Sequence, residues 1–190
     1  ADCLHTRDHW RLFQTFGARA LYLDIETTGL SAREGQVTIV GLHRQGRMRT
    51  LIHGQDLTLE AIQEELDQAD LLITFFGTVF DIPYLQTCFH GLRVAIPHFD
   101  LCFAARRVGL QGGLKSIERE LDIARESDLL QLDGLEAVRL WHHYRAGHDD
   151  ALDQLVRYNA ADTQNLEPLA ACLYERLVLR YGPQSLGLVG

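Results

Sequence analysis

The chain has 190 residues, 46% of them hydrophobic and 23% charged, and reads as one soluble globular domain with a substantial core. No apolar run approaches the ~20 residues of a membrane span. No signal peptide is legible at the N-terminus. A net charge of −8 argues against broad nucleic-acid affinity, because phosphate binding rewards basic surface, although carboxylates that hold metal ions enter the same sum.

Cys3, Cys88, Cys102 and Cys172 form neither a CxxC pair nor zinc-ligand spacing. Three of them fall in segments of helical spacing, where Cys behaves as a small apolar residue, so a reducing, cytoplasmic setting is expected. Ala1 stands where an initiator Met would, so further domains of a longer chain are expected. The basic residues are nearly all Arg, with Lys115 the sole lysine. Arg suits bidentate phosphate contacts, and genome base composition would give the same bias.

In chain order, HWRLFQTF predicts a short packing helix within an extension over 1–17. ALYLDI (20–25) is a near-continuous apolar run, the pattern of a central strand covered on both faces. QVTIVGLH (36–43) and MRTLIHG (48–54) predict two more strands, with RQGR (44–47) as a hairpin turn. LTLEAIQEELDQA (57–69) places Leu59, Ile62 and Leu66 on one face of a helix. LLITFF (71–76) predicts a buried strand, and FDIPYLQTCFH (80–90) a helix with Pro83 in its first turn. LRVAIPHFD (92–100) predicts a short strand ending near Pro97.

The remainder has helical spacing over 100–109, 114–123, 135–146 and 151–166. A last helix is expected from about Pro168 to Tyr181, with a tail over 182–190. Three early strands, strand–helix alternation and a helical end predict an α/β domain over 18–181, a mixed five-stranded sheet flanked by helices.

Asp24 and Glu26 lie two apart within the first strand, so they share a face while Ile25 points the other way. Adjacent buried carboxylates repel and resist charging. A divalent cation offsets that cost, because hard cations prefer oxygen ligands; a strand end where both acids reach water would offset it equally well. Asp81 follows a buried strand and a Gly-containing loop at the head of a helix, where it could be a helix cap. Tyr158 and Asp162, four apart, share one helix face.

The order of these segments, DIETTGL, GTVFDIPYL and YNAAD, resembles the DEDD superfamily of 3′–5′ exonucleases on the ribonuclease-H-like fold. Tyr four before the last Asp matches the tyrosine subclass; a histidine subclass would need His where Arg157 stands. LDIETTGL, FDIPYL, HFDL, LKSIERELDI, the LWHHY helix and YNAAD resemble most the YprB-type domain, over about residues 18–175. One departure stands out: Phe76 occupies the place before Gly77 where that family usually has Asn.

The resemblance implies that Asp24, Glu26, Asp81 and Asp162 hold two Mg2+ or Mn2+ ions and that Tyr158 orients the attacking water, in hydrolysis of single-stranded DNA or RNA from a 3′ end. Thr27, Thr28 and Leu30 are candidates for the terminal-nucleotide pocket, Phe80 for stacking a base, Lys115 for a phosphate contact, and Asn159 for bracing the third motif. Arg106 and Arg107 could meet phosphates too, although a solvated helix face is the favoured reading, and Asp100 reads as the cap of the helix after it. HHYRAGHDD (142–150) reads as a solvated turn rather than a metal site.

Three other readings stay open. A non-catalytic nucleic-acid-binding module would use the same fold. An endonuclease would use the same acids. DIETT loosely resembles the DxDxT of haloacid-dehalogenase phosphatases, but Glu26 replaces the second Asp, and Asp81, Tyr158 and Asp162 would have no role.

Overall fold

The computed structural model describes residues 4–129 and 132–182; Cys3 and the expected tail beyond Gly182 lie outside the described residues. Five strands, β1 (Ala20–Thr27), β2 (Val37–Arg44), β3 (Arg47–Ile52), β4 (Leu71–Thr74) and β5 (His98–Asp100), form one sheet in the order β3-β2-β1-β4-β5. β1 pairs antiparallel with β2 and parallel with β4, so the sheet is mixed, as the sequence pattern predicts. The β2–β3 turn has positive φ at Gln45 (52°) and Gly46 (74°), the twist-matched hairpin geometry.

β1 is buried on both faces. Leu21, Leu23 and Ile25 pack with Ile62 and Leu66 of α2 (Leu59–Asp67) and with Tyr84 and Leu85 of α3 (Asp81–Cys88). Ala20 and Tyr22 face the opposite way, onto Leu166, Leu169 and Leu173 of α7 (Asp149–Tyr181). Strand alternation extends that second face to Asp24 and Glu26. α1 (Phe13–Phe16), α4 (Leu101–Arg107), α5 (Leu114–Glu120) and α6 (Gly134–Arg145) complete the helical layers. Among the described residues, no helix is long and apolar enough to cross a membrane.

Three local expectations are corrected. The helices expected on either side of Pro168 are one helix of 33 residues. An interior proline costs about 3 kcal/mol, but Leu166, Leu169, Leu173 and Leu177 are fully buried along the same stripe. Each such Leu contributes ~1.5–3 kcal/mol, so burial outweighs the break. β5 begins after Pro97 instead of ending near it, since the Pro97 carbonyl accepts the Leu72 N–H while the proline has none to donate. The N-terminal segment is mostly a 3-10 run over Thr6–Leu12 before α1, and it buries Trp10 against the core.

α7 lies directly on β2 at one position. Gly41 pairs with Asp24, and a Cβ there would come within 2.2 Å of Thr163 Oγ1 and 2.3 Å of Asn159 Oδ1. Both residues are fully buried, and Thr163 donates back to the Asn159 carbonyl at 2.8 Å, so neither can yield. Gly41→Ala is expected to destabilise the protein by about 1–3 kcal/mol in urea denaturation, the range for overpacking a close-packed interior. An unchanged midpoint would mean that α7 can lift from the sheet at no cost.

Candidate metal centre

Side chains from three elements converge where β1 meets α7. Carboxylate oxygens of Asp24, Glu26 and Asp162 all lie within 4.8 Å of one another. Asp81, the first residue of α3 and also buried, stands beside this trio, near enough for its charge to act on both Asp24 and Glu26. It does not cap its helix: Phe80 is the capping residue, and the Asp81 carboxylate takes hydrogen bonds from its own backbone and that of Ile25. Tyr158 lies one turn before Asp162 on α7, almost fully buried.

All four acids hold their protons more tightly than ordinary carboxylic acids. Burial is the first cause for Asp24, followed by the charges of Glu26, Asp162 and Asp81. Burial also dominates at Glu26, which Asp162 raises further and a hydrogen bond from Asn159 opposes. Asp81 is pushed up to about 7, by burial and then by the charge of Asp100. Asp162 is raised by burial, against the pull of Arg125.

Two residues that sequence reasoning missed hold this centre. Arg125 places Nη2 2.5 Å from Asp162 Oδ1 and grips Glu118 in a two-pronged pair, Nε to Oε2 at 2.9 Å and Nη2 to Oε1 at 2.8 Å. The Arg125 and Glu118 side chains are only 1% and 2% exposed, and Asn165 donates to Glu118 at 3.1 Å. The only sequence signal was the spacing of Lys115 and Glu118, three apart, which sets two charges beside the apolar Ile117 of α5. Arg125 follows that helix in a loop and carries no periodicity.

The other candidates divide. Asn159 donates to Asp24 Oδ2 at 3.0 Å, so it braces the first motif rather than its own. Lys115 Nζ lies 4.4 Å from the Tyr158 ring centre, within the field of Asp162; like Arg125 Nη1, it is buried without a hydrogen-bond partner among the described residues. Phe80 packs on Tyr84 and, with the highly exposed Leu30, lines a cavity of about 270 Å3. The hydroxyls of Thr27 and Thr28 serve the turn after β1, bonding the Gly29 carbonyl and the Gln36 N–H. Asp100 caps α4 as expected, and its two oxygens also accept the N–H groups of Phe76 and Thr78, pinning the loop that leads to Asp81. Arg157 pairs at the surface with Glu126 and Asp128. The His-rich turn forms no metal-binding group among the described residues.

The donors suit a hard divalent cation: all are oxygens, Glu26 and Asp162 are buried with Asp24 half-buried beside them, and their pKa values are raised first by burial and then by mutual repulsion that a cation would relieve. Arg125 and Lys115 alone leave negative charge in excess, since Arg125 is shared with Glu118.

A family model for the RNase H superfamily matches residues 21–174. Among solved structures, Brucella melitensis NrnC with bound Mg2+ superposes with a TM-score of 0.63 at 24% identity, over 90% of this chain and 80% of its own. NrnC bound to pGG gives 0.64 at 23% identity, over 90% and 79%. The family B DNA polymerase of the archaeon Pyrobaculum calidifontis gives 0.70 at 15% identity, over 88% of this chain and 26% of the polymerase. At these identities the likeness is one of fold. No curated protein matches the chain.

The raised acids set the sign of a pH dependence. In the unfolded chain an Asp releases its proton near ~3.9, whereas folded Asp81 keeps it to about 7. Between those values the folded state binds more protons, so stability falls as pH rises. Asp24 and Glu26 act in the same direction. Thermal melts in EDTA should therefore show the midpoint falling from pH 5 to pH 8, and added Mg2+ or Mn2+ should restore it at the alkaline end. A midpoint that climbs with pH in EDTA would mean that the acids are compensated without a metal.

Proposed function

The chain belongs to the RNase H superfamily, and from that we propose that it is a metal-dependent nuclease, a 3′–5′ exonuclease of the DEDD tyrosine subclass nearest the YprB type. The observation that carries this is the convergence of Asp24, Glu26 and Asp162, with Asp81 and Tyr158 against them, from three segments distant in sequence. Asp24, Glu26, Asp81 and Asp162 would hold two Mg2+ or Mn2+ ions, which when bound lower the pKa of a water and stabilise charge on both oxygens of a phosphodiester displacement.

The chain's own groups orient and hold. The Tyr158 hydroxyl is pushed far above its ordinary range, first by burial and then by Asp162, Glu26 and Asp24. It keeps its proton, so it positions the attacking water by hydrogen bonding and is no general base. Lys115 Nζ and Arg125 Nη1, both without a hydrogen-bond partner among the described residues, have N–H groups to offer non-bridging phosphate oxygens. Arg125 also fixes the Asp162 carboxylate, and Asn159 fixes that of Asp24. The cavity between Leu30 and Phe80 is the place for the terminal base. NrnC bound to pGG makes short oligonucleotides the first substrates to try. The free, helix-borne Cys88, Cys102 and Cys172 suit a reducing compartment such as the cytoplasm.

The test uses 5′-labelled single-stranded DNA and RNA with Mg2+, Mn2+ or EDTA. The expected result is a metal-dependent ladder shortening from the 3′ end, lost in Asp162→Asn. Tyr158→Phe should lower kcat about 100-fold, the scale of a misplaced reactant, while calorimetry shows metal still bound. Internal cuts would indicate an endonuclease. Binding of oligonucleotide without cleavage under any metal would indicate a non-catalytic module.

A further inference from the structure

Phe76 is held in a backbone conformation that bulky L-residues rarely adopt, with φ at +69°. The surrounding bonds enforce it. Its N–H donates to Asp100 Oδ1 at 2.9 Å, the Thr78 N–H donates to Asp100 Oδ2 at 2.9 Å, and its carbonyl accepts the N–H groups of Val79 and Phe80. The result is an aromatic ring turned outward, 36% exposed, 6.0 Å from the ring of Phe103, itself 38% exposed on α4. The Arg106 guanidinium lies 5.4 Å over Phe103. Arg106 is exposed and has no ion pair among the described residues, in a chain whose net charge is −8.

The cluster is linked to the acids along the chain, because the turn that begins at Phe76 runs directly into Asp81, the first residue of α3. The turn stands between two concavities. Val79 and Phe80 line the small one with Leu30, while Thr78 lines another of about 470 Å3 together with Phe103, His98 and Arg107. Two exposed aromatic rings and a guanidinium without an ion pair among the described residues match the chemistry of a nucleotide outside a duplex, a flat base with an attached anion.

We propose that Phe76 and Phe103 form a stacking platform for an unpaired nucleobase upstream of the terminal nucleotide, with Arg106 meeting the adjoining phosphate. The proposal rests on the nuclease reading for its substrate and names a subsite of it. Stacking tolerates any base, so the platform selects single strands over duplex and longer oligonucleotides over dinucleotides, without sequence preference.

The experiment is binding in EDTA of single-stranded pentanucleotides that carry the fluorescent base 2-aminopurine at each position in turn. The wild type should quench the reporter at an interior position. Phe103→Ala should remove that quenching and weaken binding about tenfold, the scale of one lost base stack. Phe76→Asn should do likewise while keeping the turn, because Asn tolerates positive φ; a matching thermal midpoint verifies that the loop survives. Arg106→Gln should lower the slope of binding against salt by about 0.7, one phosphate contact on a single strand. With metal added, KM for the pentanucleotide should rise more in these variants than KM for a dinucleotide. Wild-type quenching and affinity in all three variants overturn the platform, as does loss of self-association in sedimentation with oligonucleotide binding intact, which would make the aromatic pair a protein contact. Quenching as expected but no metal-dependent cleavage by the wild type would keep the platform and remove the nuclease reading.

Discussion

The structure is organised around the repulsion among four carboxylates, three of them within 4.8 Å of one another and Asp81 beside them. Two like charges 4 Å apart at an effective dielectric of 20 oppose each other by about 4 kcal/mol, and burial adds to that. Free carboxylates would separate. Here they are fixed to three rigid parts: Asp24 and Glu26 to the central strand, Asp81 to the first turn of α3, Asp162 to the longest helix. The stacking of α7 against the sheet at Gly41 sets the distance between them. Arg125, Asn159 and Lys115 relieve part of the strain from within. The hydrophobic clusters on the two faces of β1 supply the favourable free energy that keeps such a centre assembled.

Much of this was legible in the sequence, because it depends on local periodicity. The apolar run around Leu21 and Leu23 announced a central strand, and the spacing of Asp24 and Glu26 fixed their common face. What stayed hidden depends on tertiary contact. Pro168 reads as a helix boundary by local rules, and only the stripe of buried leucines on both sides of it shows why the helix continues. Arg125 sits in a loop whose sequence says nothing of where it folds back, so its pairing with Asp162 and Glu118 appears only in three dimensions. Asn159 was placed by sequence beside the third motif, yet it reaches across to a residue 135 positions away. Phe76 was visible as a departure from the motif pattern the sequence resembles, but not as a strained residue pinned by Asp100.

Asp100 shows how a short element can carry a large share of the architecture. β5 has three residues, and its last one caps α4, holds the loop before Asp81 and adds to the field on Asp81. Strand, cap and loop anchor are therefore one side chain.

The length of α7 has a dynamic consequence. Its middle carries Tyr158, Asn159 and Asp162, and its later turns close the core against Trp10 and Phe13 through Tyr174. Catalytic sites often draw on segments that open locally at little cost. Here the acid-bearing turns share one 33-residue helix with the most buried part of the protein, so loosening them also disturbs the core. Their amide protons are therefore expected to exchange with solvent about as slowly as those of the core helices and strands.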